Sequence, residues 1–417
     1  MELDFRHPVG TAIGSHRRRP VVMVRLVAEG PAGRVVGWGE CAALADTTFD
    51  HEDAASAFAA LTQDLVPRLT EGAPPGAVAL PGPSDLADRV PPVGVPLAFA
   101  ALEMAVGDVH LRSSGTSFAE LLGVADGATE IGSDGATEID AGGAKIDAGD
   151  DSQADGDLDS DSPATRGLSH PSVLVGAVVG LTDSIEALLA QVDEHVEAGF
   201  ARVKLKIGPG WDIVPAAAVR RRLPDLILQV DANGSYTSAD TAHLVELDGL
   251  GLACIEQPLP RHDLEGHVAL ARALRTPVCL DESLDSPAAA RTAIAMGACE
   301  VVCVKPARLG GLTAALEVHR DCTEAGVPLW LGGMFESGYA RAVNTALAAL
   351  PGFDLPGDLA PSTTYLTEDV VPAPHLDRHA PDGRLRVGLH LAPGLGPAPD
   401  RTIVARRSAA SWRWPSR

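Results

Sequence analysis

The chain has 417 residues, 46% of them hydrophobic, which is enough for a large core and suggests two domains. Its formal net charge of −23 argues against nucleic acid as a partner, and no apolar stretch approaches the roughly 18 residues of a membrane span. Six scattered cysteines form no metal-spaced pair and the N-terminus has no secretory pattern, so we expect a cytoplasmic protein with reduced cysteines.

Residues 1–122 predict an α+β domain. The runs "PVVMVRLVAEG" and "RVVGWGECAAL" are typical of two strands that form a hairpin around "EGPAGR". Helical patterns follow over residues 52–69 and 97–111. Small residues in the second pattern would allow a close approach to its neighbours.

Residues 123–170 predict a disordered acidic insertion. Twelve acidic residues stand against two basic ones within residues 125–166, and the segment "DGATEI" occurs twice. Gly, Ala, Asp and Ser cannot bury enough apolar surface to order such a segment. Its "DGDLDSDS" is similar to part of a calcium loop but lacks the Gly and Glu positions of an EF-hand, which favours a solvated loop.

Residues 171–362 alternate between short apolar runs and alanine-rich helical segments. Eight runs predict strands: "SVLVGAVVG", "ARVKLKIG", "LILQVDANG", "LACIEQP", "PVCLDES", "EVVCVKP", "VPLWLGG" and "FDLPGDL". Seven clear helical segments lie between them, so we expect an α/β fold with a (β/α)₈-type barrel. A doubly wound open sheet is the alternative, but "VGAVVGLTDS" matches its glycine-rich phosphate loop poorly. Residues 363–417 are rich in Pro and Gly and end in an Arg/Trp tail that we expect to be frayed.

Five charged residues recur at nearly constant spacing through the predicted barrel. Intervals of 25, 25, 25 and 24 residues separate Lys206, Asp231, Glu256, Asp281 and Lys305. One βα unit has about this length, so each residue falls at the carboxyl end of its strand, where barrel enzymes have their active sites.

This spacing predicts a site in which carboxylates and lysines meet. A single Asp that ends a strand is usually a turn or cap residue, and a lone lysine can extend to the surface. Five such residues in one cavity would be costly to bury unless they pair or bind a metal. Three carboxylates from three strands suit Mg²⁺, which keeps open positions for water and substrate. A neutral lysine could then remove a proton α to a substrate carboxylate.

Lys204 precedes Lys206 by two residues and shares its face of the strand. A like charge roughly 6.6 Å away costs about 2.5 kcal/mol at an effective dielectric constant near 20. This cost corresponds to a pKa lowered by about two units. We therefore expect Lys204 to help Lys206 act as a neutral base.

The motifs that carry these residues resemble a known family. In chain order they are "VKLKIGPGWD", "LQVDANGSYT", "CIEQPL", "VCLDES", "VVCVKPARLGG", "LWLGGMFESGYARA" and "LPGDL". Together they resemble the muconate-lactonizing subgroup of the enolase superfamily, and more narrowly the o-succinylbenzoate synthase / N-acylamino acid racemase family. The segment "GWGECAAL" extends the likeness into the first domain.

The resemblance implies a role for each charged residue. Mg²⁺, for which Mn²⁺ can substitute, would be held by Asp231, Glu256 and Asp281. Asn233 would support the metal or its ligands. Lys206 would be the base and the returning acid, and Lys204 would tune it. Lys305 would face the opposite side of the substrate, as a cation in a synthase or as a second base in a racemase.

The resemblance also implies how the substrate is enclosed. Its distal part would be lined by Gly332, Gly333 and Met334. The N-terminal domain, completed by the C-terminal segment, would cap the barrel, and a loop near residues 11–19 would close over the substrate. The acidic insertion departs from the usual pattern, as does Ala307 where relatives commonly have Gly. Val178 replaces a polar residue of some racemases, which favours the synthase.

We therefore expect an o-succinylbenzoate synthase, which dehydrates 2-succinyl-6-hydroxy-2,4-cyclohexadiene-1-carboxylate through an enediolate in menaquinone synthesis. An N-succinylamino acid racemase, or another lyase or epimerase of the superfamily, is the alternative. Outside the superfamily, a Schiff-base aldolase would need one lysine and no metal, and a non-catalytic binding barrel would not need the complete charged set. The expected partner is a small carboxylate, and a homo-oligomer is left open.

Overall fold

The computed structural model describes residues 1–10, 15–30, 33–47, 50–71, 79–125, 145–146, 171–378 and 380–413. These residues include the strands β1 (Glu2–Gly10), β2 (Ser15–Pro20), β3 (Val22–Gly30), β4 (Gly33–Cys41), β5 (Lys145–Ile146), β6 (Ser172–Leu174), β7 (Gly176–Val179), β8 (Arg202–Lys206), β9 (Ile227–Asp231), β10 (Ile255–Glu256), β11 (Val278–Leu280), β12 (Val301–Val304), β13 (Leu329–Leu331), β14 (Leu376–Asp377) and β15 (Arg386–Gly388).

The helices are α1 (Ala54–Ala60), α2 (Val66–Thr70), α3 (Pro83–Arg89), α4 (Pro96–Ser114), α5 (Phe118–Leu121), α6 (Ile185–Glu197), α7 (Ile213–Arg222), α8 (Thr241–Leu244), α9 (Leu264–Ala273), α10 (Pro287–Met296), α11 (Pro306–Leu309), α12 (Leu312–Ala325), α13 (Gly338–Leu347) and α14 (Arg401–Arg407). A π-helical turn (Leu61–Leu65) joins α1 to α2, and 3₁₀ turns occur at Ser238–Asp240, Val245–Leu250 and Ser362–Thr364.

The N-terminal domain contains the predicted hairpin and both predicted helical regions. β3 and β4 pair in unbroken antiparallel register from Val22 opposite Cys41 to Gly30 opposite Gly33. The helix α4 is buried along most of its length and packs on this sheet. Gly39 permits this approach, because a Cβ there would clash with the backbone of α4. The hairpin and the two helical predictions are confirmed.

Strands β7 to β13 form a parallel sheet in chain order. Residues 352–358 lie between β13 and β7. There, the N–H of Asp354 donates to the carbonyl of Leu329 (3.1 Å) and that of Gly176 donates to the carbonyl of Gly357 (2.8 Å). This segment is the eighth predicted strand, but it pairs through isolated bridges rather than a continuous ladder, since Pro356 has no N–H to donate. The predicted (β/α)₈-type barrel is confirmed, with an irregular eighth position.

The two domains meet where α4 approaches the start of α12. Glu103 of α4 accepts hydrogen bonds from the backbone N–H groups of Leu312 and, at 3.1 Å, Thr313. Gly311, which precedes α12, has a φ of 121° and would clash with Glu103 if it carried a Cβ. A carboxylate of the N-terminal domain therefore caps a helix of the barrel.

The C-terminal segment returns to the N-terminal domain. Phe5 of β1 forms an isolated bridge with Leu366, and the N–H of Thr367 donates to the carbonyl of Asp4 at 2.9 Å. Arg407 lies 2.9 Å from the carboxylate of Asp4. Because Arg401–Arg407 form a helix, the prediction of a frayed tail is wrong for these residues. Arg406 and Arg407 in this helix both pair with the carboxylate of Glu368.

Two other predicted segments are described in part. The insertion at residues 123–170 lies mostly outside the described residues, but Lys145–Ile146 form β5, which pairs with the edge of β3. The closing loop predicted at residues 11–19 is wrong for its second half, because Ser15–Pro20 form β2 and pair with β1. Residues 11–14 lie outside the described residues.

None of the described helices has the length and apolar character needed to cross a membrane.

Candidate active site

The five regularly spaced charged residues meet at the carboxyl end of the barrel strands. Lys206, Asp231 and Glu256 are the last residues of β8, β9 and β10, and they lie side by side in register. Asp281 and Lys305 directly follow β11 and β12. The structure therefore places all five where the spacing predicts, on neighbouring strands of one wall of the barrel.

Strand β8 directs three basic side chains into the interior of the barrel. Val203 and Leu205 point into the surrounding apolar core, so the alternate residues Arg202, Lys204 and Lys206 share the inner face. Their side chains are 0%, 3% and 14% exposed, respectively. Lys206 is thus the most accessible of the three, and Arg202 belongs to the same alternation although we did not predict it as a site residue.

Lys204 is a buried cation among three carboxylates. Its Nζ lies 2.7 Å from Asp358, 2.9 Å from Glu256 and 3.4 Å from Asp231. It also lies 4.6 Å from the ring centre of Trp330, a favourable cation–π distance. Burial alone would lower the pKa of Lys204, but the carboxylates outweigh burial and raise it well above its usual value. Lys204 is therefore charged.

Lys206 is held by one carboxylate and one amide. Its Nζ donates to Asp231 Oδ2 (2.6 Å) and to Asn233 Oδ1 (2.7 Å). The amide nitrogen of Asn233 donates to Glu282 Oε1 at 2.8 Å. Asn233 has a φ of 45°, a left-handed conformation that Asn adopts more readily than most residues. The structure thus brings Asn233 to Lys206 and gives its amide a fixed orientation.

Lys305 contacts the site through Asp281. Its Nζ lies 2.8 Å from Asp281 Oδ2, while the other oxygen of Asp281 accepts a hydrogen bond from Arg308. Arg308 also lies 2.8 Å from Asp50 of the N-terminal domain. Burial would lower the pKa of Lys305, but Asp281 outweighs it and raises the pKa. Burial would raise the pKa of Asp281, but Arg308 and Lys305 hold it well below its usual value.

The buried carboxylates fit a divalent cation. Burial, together with the charges of Asp231 and Asp281, raises the pKa of Glu256 well above its usual value, and a bound cation would relieve this repulsion. Carboxylate oxygens are the ligands that hard cations prefer. Among the described residues, the compact group of ligand atoms, all within 4.8 Å of one another, is Glu256, Asp281 and Cys303. Asp231 lies outside that group, and its carboxylate contacts Lys206 and Lys204.

Both halves of the chain match models of one enzyme family. Residues 2–123 match "Mandelate racemase / muconate lactonizing enzyme, N-terminal domain", and residues 187–403 match "Enolase C-terminal domain-like". This chain is an enzyme of the enolase superfamily.

Individual relatives cover nearly the whole chain. An N-succinylamino acid racemase of Amycolatopsis sp is 37% identical over 406 residues, which are 96% of this chain and 93% of that protein. An o-succinylbenzoate synthase of Geobacillus kaustophilus is 33% identical over 407 residues, with 97% and 93% covered. The structure of a probable mandelate racemase from Alicyclobacillus acidocaldarius has a TM-score of 0.77 at 34% identity and covers 99% of this chain and 96% of that one.

In this member of the enolase superfamily, the segment after β13 packs tightly beside the site. A Cβ on Gly332 would lie 2.8 Å from Lys305 Cε, and one on Gly333 would lie 2.6 Å from a guanidinium nitrogen of Arg341. Met334 is buried in the core of the N-terminal domain. The two glycines therefore make room for charged side chains, and the methionine links the barrel to the domain that covers it.

Arg308 and Asp358 are among the site residues that escaped prediction although they lie in quoted motifs. Arg308 belongs to "VVCVKPARLGG" and binds Asp281, and Asp358 belongs to "LPGDL" and binds both Lys204 and Arg202. A further signal was available in the composition. The chain has four lysines among its 33 Lys and Arg residues, and three of the four are Lys204, Lys206 and Lys305.

Proposed function

We propose that this enzyme is an o-succinylbenzoate synthase, a metal-dependent lyase of menaquinone biosynthesis. It would catalyse the syn-dehydration of 2-succinyl-6-hydroxy-2,4-cyclohexadiene-1-carboxylate through an enediolate. Relatives of that name from Geobacillus and Bacillus subtilis, 32–33% identical over nearly the whole chain, support this substrate. The family also supports the chemistry, since proton abstraction next to a carboxylate needs a base and a cationic site for the developing charge.

Mg²⁺ is the proposed metal, with Mn²⁺ as a substitute, and its proposed ligands are Asp231, Glu256 and Asp281. These carboxylates are buried, adjacent and in mutual repulsion, which is the condition that a divalent cation relieves. When bound, the ion supplies positive charge that stabilises the oxygens of the enediolate. Asn233 would orient both Asp231 and Lys206. Its backbone N–H donates to Asp231 Oδ1 at 3.0 Å, and its side-chain oxygen accepts from Lys206 Nζ at 2.7 Å.

Lys206 carries the proposed proton transfers. As a neutral amine it takes the proton α to the carboxylate, and an enediolate and an ammonium form. The ammonium then returns this proton to the leaving hydroxyl as the carbon–oxygen bond breaks, so that water leaves and the lysine is neutral again. One base on one face suffices, as a syn elimination requires. The ammonium of Lys204 lies two residues away on the same face of β8.

The observation that carries this proposal is the difference between the two accessible lysines. Lys206 binds one carboxylate and a neutral amide, whereas Lys305 binds a carboxylate that Arg308 also holds. A synthase needs Lys305 to stay an ammonium beside the enediolate while Lys206 moves protons, and the carboxylate of Asp281 raises the pKa of Lys305. A racemase needs both lysines as bases in turn.

An N-succinylamino acid racemase is the second candidate. Two relatives of that name, from Amycolatopsis and Thermus thermophilus, are 37% identical to this chain. The same enediolate would form, and Lys305 would return the proton to the opposite face. Lys305 has nearly the same exposure as Lys206, at 13% against 14%, so a substrate held between them could reach both.

The two candidates are separated by assays on the purified protein with Mg²⁺. Dehydration is followed by the loss of the cyclohexadiene absorbance, and racemisation by optical rotation and by α-proton exchange of N-succinylamino acids in deuterium oxide. We expect dehydration that Lys206→Ala abolishes and that a chelator suppresses reversibly. Absence of dehydration at every Mg²⁺ concentration, with racemisation present, would reject the synthase in favour of the racemase. Activity that persists in chelator would reject both.

A further inference from the structure

A layer of thiols lies inside the barrel beneath the carboxylates. Cys254, Cys279 and Cys303 are buried and pack together with Trp330 in a cluster separate from the main core. Cys279 accepts a hydrogen bond from the indole N–H of Trp330 at 3.2 Å. Cys303 lies two residues before Lys305 and shares its inward face, so its thiol lies one layer below that lysine.

Cys303 is the thiol of this layer that reaches the carboxylates. Its Sγ and one oxygen each of Glu256 and Asp281 all lie within 4.8 Å of one another. The side chain is 2% exposed, and among the residues that the structure describes its thiol has no hydrogen-bond partner. Gly332 leaves the space that the sulfur occupies, because a Cβ there would lie 2.6 Å from it. A buried sulfur without a partner thus points at two buried oxygens.

We propose that Glu256, Asp281 and Cys303 form a binding site for a thiophilic divalent cation such as Cd²⁺ or Zn²⁺. Thiolate sulfur prefers such ions, whereas Mg²⁺ avoids sulfur. In a tetrahedral site with bonds of about 2.0–2.3 Å, ligand atoms are roughly 3.5 Å apart, so small side-chain rotations bring these three atoms into place. Binding forms a metal–sulfur bond and releases the thiol proton to solvent, and no atom is oxidised or reduced.

The site shares two carboxylates with the proposed Mg²⁺ site and lies deeper in the barrel. A cation held by Cys303 would draw Glu256 and Asp281 inward, so the two kinds of ion would exclude each other. Susceptibility to thiophilic ions would then be a property of this chain that depends on one cysteine. The inference concerns metal selectivity and does not depend on which reaction the enzyme catalyses.

Cadmium titration of the full-length, metal-free, reduced protein tests the proposal without substrate. A cadmium–thiolate bond has a charge-transfer absorption in the ultraviolet, and elemental analysis after gel filtration counts the bound ions. We expect one Cd²⁺ to bind per chain and to give this absorption. Added Mg²⁺ should displace the bound Cd²⁺ only weakly. Cys303→Ala should abolish the absorption and weaken Cd²⁺ binding at least tenfold. Cys322→Ala, which removes another buried free thiol on α12, should leave both unchanged.

Three results would overturn the proposal: no absorption in the wild-type protein, its persistence in Cys303→Ala, or its loss in Cys322→Ala. Circular dichroism and thermal unfolding verify that the variants fold. Cys303→Ser, which keeps the size of the side chain but not its sulfur, replaces the alanine variant if that one fails to fold. Because the signal is recorded without turnover, an inactive enzyme that still shows it would reject the proposed reaction and leave this site standing.

Discussion

Replacing Gly332 with alanine tests whether Lys305 must keep its position. The new Cβ would lie 2.8 Å from Lys305 Cε and 2.6 Å from Cys303 Sγ. Since carbon atoms pack at roughly 3.5–4.0 Å, the lysine chain would have to move by about 1 Å. This movement would weaken the contact between Lys305 Nζ and Asp281, now 2.8 Å. A misplacement of about 1 Å can cost on the order of 10²-fold in rate.

We therefore expect Gly332→Ala to lower kcat by about 10²-fold with KM changed less than about threefold, because the proposed role of Lys305 is to stabilise the enediolate. Steady-state dehydration assays at saturating Mg²⁺ measure both constants. Gly249→Ala is the matched control, since a Cβ at Gly249 meets nothing within 4 Å, and its kcat should equal that of the wild type. If Gly332→Ala folds, as thermal unfolding shows, and keeps kcat within about twofold of the wild type, the reasoning is refuted.

Three further variants probe the base, the domain junction and a buried carboxyl. Lys206→Arg should slow α-proton exchange by at least about 10³-fold with Mg²⁺ affinity retained, because a guanidinium cannot act as a base. Glu103→Gln should lower the free energy of unfolding by about 1–3 kcal/mol in urea titrations, because it weakens the cap on α12. Burial between the domains raises the pKa of Glu40 to about 7. The contribution of Glu40 to the free energy of unfolding is therefore fully present below pH 4.5, where its carboxyl is protonated in both states. As the pH rises through about 7, the free energy of unfolding falls by about 3 kcal/mol in total. Glu40→Gln should remove this part of the pH dependence.

Each of these predictions has an outcome that contradicts it. Rapid exchange in Lys206→Arg, measured by proton resonance in deuterium oxide, would remove Lys206 as the base. Glu265→Gln, an exposed substitution on α9, is the control for the junction, and equal unfolding midpoints for it and Glu103→Gln would show that the cap contributes nothing. For Glu40, urea curves near pH 5 and pH 8 are compared, and the same shift in the variant as in the wild type would exclude that carboxyl as the source.

The strand-end residues of the site could be predicted because they follow the period of the fold. A βα unit of nearly constant length carries each of the five charged residues to the same end of the barrel, and alternation along β8 places Lys204 beside Lys206. Their partners follow no such period. Arg308 extends back to Asp281 from a short helix, and Asp50 arrives from the other domain. Contacts between residues so distant in sequence depend on how the domains pack.

The architecture could be predicted from hydrophobic pattern and helix composition, and its irregularities could not. The pattern of "FDLPGDL" predicts a strand, but a proline in it interrupts the hydrogen-bond ladder, so the segment closes the barrel by single bridges. At the C-terminus, composition indicates a frayed tail. Ion pairs of Arg406 and Arg407 with Glu368 and Asp4 instead accompany a helix there. Composition indicates whether a segment tends to be ordered, but it does not identify the residues that the segment contacts in the fold.

Because lysine is scarce in this chain, an amine-directed reagent can label the active site selectively. Apart from the α-amino group, an amine-directed reagent has four side chains to attack, and Lys145 is the one outside the site. Modification detected on the peptides with Lys206 or Lys305 would therefore report the accessibility of the reaction centre with almost no background. Lys204, which is 3% exposed, should react most slowly and so serve as an internal reference. A ligand that enters the barrel would be recognised by protection of two residues in a chain of 417.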